Sequence, residues 1–322
     1  MMSSFKFILT LKLKCFGKKN NNSGFTLIEL LIGMVIAVLI ITPLLGFMID
    51  ILDTDRKEQA KATSEQEIQA ALDFIERDLQ QAVYIYDADG LTRNTNTTPT
   101  NSGIKDQIPP QKGAPNCTDG TICTPILVFW KREYLADSVG VTSKTDTVKD
   151  DGFAYSLVGY YLITNSTGSN TTWSPSARIG RFQIRGKISA AYSNTKGEDS
   201  SPGYNPPPLD LTIAGSSLKE KMNQWKADSA ASYTARAETL LDYISTSGPA
   251  ITCPTGSQGI GTNTSGFYAC VEAEKVLAKI YLRGNAYVRL NNNNQAQYSN
   301  NVASYFPTAS IQVQGRGFLP TK

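Results

Sequence analysis

A chain of 322 residues can bury a substantial core and by length holds about one to two domains. It contains no histidine, which excludes Ser-His-Asp and Cys-His nucleophiles, HExxH zinc sites and imidazole pH switches. Lys and Arg number 31 against 28 Asp and Glu, a formal charge of +3, but five lysines (Lys6, Lys12, Lys14, Lys18, Lys19) and no acid fall in the first 24 residues. The other 26 basic and 28 acidic residues leave a net of −2. That remainder lacks the basic excess of a nucleic-acid binder, and the asymmetry sets the N-terminus apart.

Residues 25–49 read FTLIELLIGMVIAVLIITPLLGFMI, with Glu29 as the one ionisable group. At about 1.5 Å per residue this run is long enough to cross a bilayer core. Lysines precede it, and Asp50, Asp53 and Asp55 follow it. The positive-inside rule then puts residues 1–24 in the cytoplasm and the chain after residue 50 outside. A secretory signal would be cut after its apolar region, whereas the small residues here, Ser23-Gly24, precede it. A carboxylate at membrane depth costs a few kcal/mol or more, so Glu29 calls for a partner.

Gly24-Phe25-Thr26-Leu27-Ile28-Glu29 behind a short basic leader resembles the N-terminus of type IV prepilins. The resemblance implies that an aspartyl prepilin peptidase cuts between Gly24 and Phe25 and methylates the new Phe25 amine. It also implies that Glu29 pairs with the Phe25 amine of a neighbouring subunit, so that assembly satisfies the buried charge. Thr42-Pro43 and Gly46 interrupt the helical propensity of the outer half of the span.

Residues 53–85 contain no Gly or Pro, and Ile68, Ala71, Leu72, Ile75, Leu79, Ala82 and Val83 recur at three-and-four spacing. This predicts an amphipathic helix whose stripe docks on a sheet. Residues 53–67 are polar nearly all round. Together 25–85 read as one helix, a transmembrane half (25–49) and an extracytoplasmic stalk (50–86), below a head at 87–322. The stretch ALDFIERDLQQA at 71–82 is similar to large-headed minor pilins, the PilW-like and type II secretion J-like proteins. The expected fold is therefore α+β and type IV pilin-like: a long N-terminal helix packed on a large antiparallel β-sheet head.

Residues 90–125, rich in Thr, Asn, Pro and Gly, read as a long loop. Strands are expected at 126–134, 153–164, 178–190, 276–290 and 309–315, an exposed connection at 191–208, and a helix over 217–246. Cys15 lies in the leader, leaving Cys117, Cys123, Cys253 and Cys270 outside. An even count fits an oxidising compartment, and local spacing favours Cys117–Cys123 and Cys253–Cys270 among three possible pairings. A zinc site of all four is the rival, but the spacings do not match zinc ribbons.

Ser216-Ser217-Leu218-Lys219 matches S-x-x-K of serine hydrolases, without a following K-T-G. Asp87-Ala88-Asp89-Gly90 starts like a calcium loop but lacks the later ligands, and reads as a turn. No catalytic residue, metal or cofactor is expected. The run from Ile41 to Leu91, with LVFWKREY and KIYLRGNA in the head, is similar to cyanobacterial hormogonium polysaccharide secretion pseudopilins. That resemblance implies an inner-membrane, single-pass, non-enzymatic minor pseudopilin supporting polysaccharide export and gliding. Its partners would be a prepilin peptidase, other pilins, an inner-membrane assembly platform and the exported polysaccharide, and no nucleic acid. The other readings are a type II secretion pseudopilin, a tip adhesin, and a membrane-anchored hydrolase using Ser216 and Lys219.

Overall fold

The computed structural model describes residues 26–141, 147–164, 172–189, 200–208, 212–291 and 296–317. Its first element, α1, spans Leu27–Gln80, 54 residues. The chain divides into two units, Met1–Asp55 and Arg56–Lys322.

In the first unit every described residue is exposed. Leu39, for example, is 69% exposed, so this apolar surface has no cover among the described residues. Pro43 lies inside α1 without ending it. Its missing N–H removes one helical hydrogen bond, and the Thr42 hydroxyl bonds back to the Val38 carbonyl at 2.8 Å.

In the second unit α1 turns one stripe inward. Ile68, Ala71, Leu72, Ile75 and Leu79 are buried, the spacing expected from the sequence. Burying each Leu or Ile contributes about 1.5–3 kcal/mol. The helix stops at Gln80, and Ala82–Ile85 form strand β1, not the last helical turn expected through residue 85. All four β1 residues are buried, a two-sided burial that suits Val83, Tyr84 and Ile85 in a strand.

After a short helix α2 (Ala88–Thr92) come β2 (Cys123–Gly140), β3 (Lys149–Thr164) and β4 (Ala177–Arg185). A single-turn helix α3 (Leu218–Met222) precedes β5 (Glu238–Ile244). Then follow β6 (Gln258–Ile260), β7 (Phe267–Glu272), β8 (Leu277–Arg283), helix α4 (Ala286–Asn291) and β9 (Thr308–Gln314). The described strands form two antiparallel sheets in the orders β1-β2-β3-β4-β5 and β6-β7-β8-β9. An isolated bridge, Ile244 to Gly284, joins them. One hydrophobic cluster takes in the α1 stripe and both sheets. Trp130, Trp225 and Tyr204 pack edge-on at its centre, with ring centroids 5.6 and 6.0 Å apart.

Three expectations are corrected. The helix over 217–246 is one turn plus β5. Asn223 caps α3 through its backbone N–H, and pairing with β4 then claims Leu241 and Ile244. The strand over 276–290 stops at Arg283, where Asn285 accepts a hydrogen bond from the Val288 N–H and starts α4. In the connection at 191–208, residues 191–199 lie outside the described residues, but Tyr204 is buried against Trp130.

Candidate functional site

Gly24 and Phe25, the expected cleavage and methylation positions, lie outside the described residues, as does Cys15. Glu29 is described, and it is already engaged within its own chain. Its Oε2 accepts from the Thr26 N–H at 3.3 Å and the Thr26 hydroxyl at 3.1 Å, while the Glu29 N–H donates to Thr26 Oγ1 at 3.4 Å. Leu30 N–H bonds to the Thr26 carbonyl at 3.2 Å. This is a capping box, a hydroxyl residue followed three positions later by glutamate, closing the open N–H groups of a helix start. The last four of the six residues that carry the prepilin motif, Thr26 to Glu29, thus define the first turn of α1.

The last turn of α1 is fixed just as specifically. Asp78, buried, receives the Lys131 ammonium at 2.8 Å, the Arg181 guanidinium at 2.8 Å and the Tyr160 hydroxyl at 2.6 Å. Glu133 takes the other side of Lys131 at 2.5 Å, and Gln183 bridges Arg181 and Glu133. Burial alone would raise the Asp78 carboxyl, but Arg181 and Lys131 outweigh it and hold its pKa below the usual value. Burial, then the Asp78 charge, pushes Tyr160 up, so it stays a protonated donor. The closing carbonyls are met as well, Gln80 by the Arg316 N–H at 3.0 Å and Gln81 by the Arg132 N–H at 3.2 Å. Reading the sequence missed this junction, since its members come from α1, β2, β3 and β4. The one legible signal was an Asp in the apolar-facing last turn.

The four cysteines form two disulfides, Cys117–Cys123 and Cys253–Cys270. They therefore offer no thiolates to zinc. Among the described residues no cluster of three or more Cys, Asp or Glu could hold a metal ion.

The residues of the S-x-x-K match serve other ends. The Ser216 hydroxyl donates to Glu220 at 2.9 Å, and Ser217 caps α3 by accepting from the Glu220 N–H. Lys219 is held between Asp87 at 2.6 Å and Asp89 at 2.7 Å. Burial would lower the Lys219 pKa, but these two carboxylates outweigh it and raise it, the wrong direction for a general base. The same ion pairs answer the calcium-like start. Asp87 caps α2 by accepting from the Gly90 N–H, and the charges of Asp87 and Asp89 are met by Lys219 and Arg93. It is a helix start and not the turn expected there.

The family model for the prokaryotic N-terminal methylation motif matches residues 19–45. No curated protein and no solved structure matches the chain. The match supports a type IV pilin-like protein, and the motif together with a long apolar helix and antiparallel sheets is consistent with the type IV pilin-like fold. The motif implies processing by a prepilin peptidase and assembly with other pilins. The helix long and apolar enough to cross a membrane is consistent with a single-pass inner-membrane anchor.

Proposed function

We propose that the chain is a non-enzymatic minor pseudopilin of a type IV pilus-like machine, supporting polysaccharide export and gliding. It is cut between Gly24 and Phe25, methylated on the Phe25 amine, and assembled through that amine and Glu29 of a neighbour. The cytoplasmic leader ends at Gly24, and the head lies outside the inner membrane. The observation that carries this reading is the methylation motif at residues 19–45 leading into an apolar helix half with no cover among the described residues. Such a surface is satisfied by lipid, or by other helices of its kind. The polysaccharide role is supported by the likeness of residues 41–91, and of two head segments, to pseudopilins of hormogonium polysaccharide secretion.

Mass spectrometry of the membrane-extracted protein tests the general reading, with an N-terminal methyl-Phe25 as the expected result. An intact Met1, or a cut beyond Ile49, overturns it. Deleting the gene and measuring surface filaments, exported polysaccharide and motility together tests the narrower one. Normal polysaccharide with normal motility rejects it, and impaired protein export instead supports a type II secretion role.

A further inference from the structure

Strand β9 ends its sheet, and among the described residues its outer edge is open. Gly284 N–H bonds to the Pro307 carbonyl and Gly315 N–H to the Val276 carbonyl. These bonds fix the parity of the β8–β9 ladder. Ala309, Ile311 and Val313 exchange backbone bonds with β8. The N–H and C=O groups of Thr308, Ser310, Gln312 and Gln314 point away from it. Among the described residues none of these four meets a backbone partner on that side. Their side chains are exposed, and those of Ala309, Ile311 and Val313 turn toward the core.

Sheet edges are ordinarily blunted by charge, proline, bulges or a covering segment. The other edges here follow that rule. β1 is covered at Ala82, whose carbonyl takes the Gly317 N–H. β5 carries Glu238 and Asp242, and the Tyr243 carbonyl is taken by the Asn285 N–H. β6 has only three residues. β9, Thr-Ala-Ser-Ile-Gln-Val-Gln, has neither charge nor proline, and its seven residues pair with β8 without a register shift.

We propose that β9 pairs antiparallel with β9 of a second copy, about a two-fold axis at Ile311. In that register Ser310 faces Gln312 and Thr308 faces Gln314, which are the residues with outward backbone groups. Ala309 faces Val313, and Ile311 faces its own counterpart. Apolar thus meets apolar on the inner face and polar meets polar on the outer face, and the ladder parity comes out right. A charge on a self-pairing edge near the axis would meet its own kind, and β9 has none. The contact is smaller than a standard interface. Anchoring both copies in one membrane supplies the effective concentration that a short ladder needs.

The test is disulfide trapping in membranes containing the full chain with Cys15→Ser. Ile311→Cys places two thiols at a non-hydrogen-bonded pair, with Cα atoms about 4.5 Å apart, within bonding range. Thr308→Cys alone places them far apart, while Thr308→Cys with Gln314→Cys brings unlike positions together. Expected are covalent dimers at least tenfold more abundant for Ile311→Cys and for the double variant than for Thr308→Cys. Both sites of the double variant are exposed, which keeps the test valid if Ile311→Cys folds poorly. Adding Ser310→Pro, which removes an outward N–H and spares the β8 ladder, should lower trapping at least tenfold. No trapping in either dimer-forming variant, equal trapping at Thr308→Cys, or indifference to Ser310→Pro each overturns the proposal.

Discussion

Glu29 carries two demands that the sequence states as one. Its carboxylate closes the capping box with Thr26, and in the proposed assembly it meets a neighbour's amine. The two are separable by substitution. Glutamine serves at the third position of a capping box but carries no charge. Glu29→Gln should therefore keep the helix start and processing at Gly24 while losing most filament incorporation. Glu29→Ala should lose incorporation and also about 1 kcal/mol of helix start. Quantitative immunoblotting of sheared filaments against membrane pools reads the first effect, and equal incorporation of Glu29→Gln and wild type would refute the charge pairing. The capping box was legible as Thr-x-x-Glu ahead of an apolar run. The prepilin resemblance drew attention to the charge instead, and the local hydrogen-bonding role of the same atoms went unread.

At the scale of elements, the best-read segments were those whose partners are continuous surfaces. The α1 stripe from Ile68 to Leu79 meets an extended apolar face, so three-and-four spacing sufficed. The aromatic and β-branched runs of β2, β3 and β4 also located these strands, although β4 stops at Arg185, short of the expected span 178–190. Reading failed where a specific neighbour decides. Leu240, Leu241 and Ile244 fit a helical spacing until β4 pairs with them, and β6 and β7 lie in a segment where glycines and a disulfide mask the alternation. The Asp78 junction was invisible for a related reason, since Lys131 and Arg181 are 53 and 103 residues away in sequence. It makes a sharp prediction about acid. The Asp78 pKa is depressed in the folded chain. Its stabilisation is therefore full above the ordinary carboxylate pKa and is lost as pH falls through the depressed folded value. Asp78→Asn should cost about 3 kcal/mol near neutral pH by leaving buried cations underpaired. It should also flatten the acid limb of stability measured by thermal circular dichroism in detergent. An unchanged pH profile would show that other carboxylates govern that limb.

For the whole molecule, two cross-links stand in different loops of the head. Cys253–Cys270 closes a separation of 17 residues onto β7, and Cys117–Cys123 closes 6 residues at the start of β2. In the chain-entropy account the longer loop is worth about 3 kcal/mol and the shorter about 2. Replacing Cys253 and Cys270 by Ala should therefore lower the melting temperature more than replacing Cys117 and Cys123, with a larger loss of protein in cells that lack periplasmic disulfide oxidation. The reverse order in thermal melts would point to strain in the longer loop or to residual structure in the unfolded chain.

The last turn of α1 also has a mechanical meaning. The only covalent route from the apolar half of the helix to either sheet runs through Gln81. Traction carried by the covalent chain from an anchored helix to its head passes through that residue. Four pieces of chain grip the helix there: β2 through Lys131 and Arg132, β3 through Tyr160, β4 through Arg181, and the C-terminal segment through Arg316. A load arriving at Gln81 is divided among attachments that must yield together, so the joint resists pulling as a rivet does and not as a zipper.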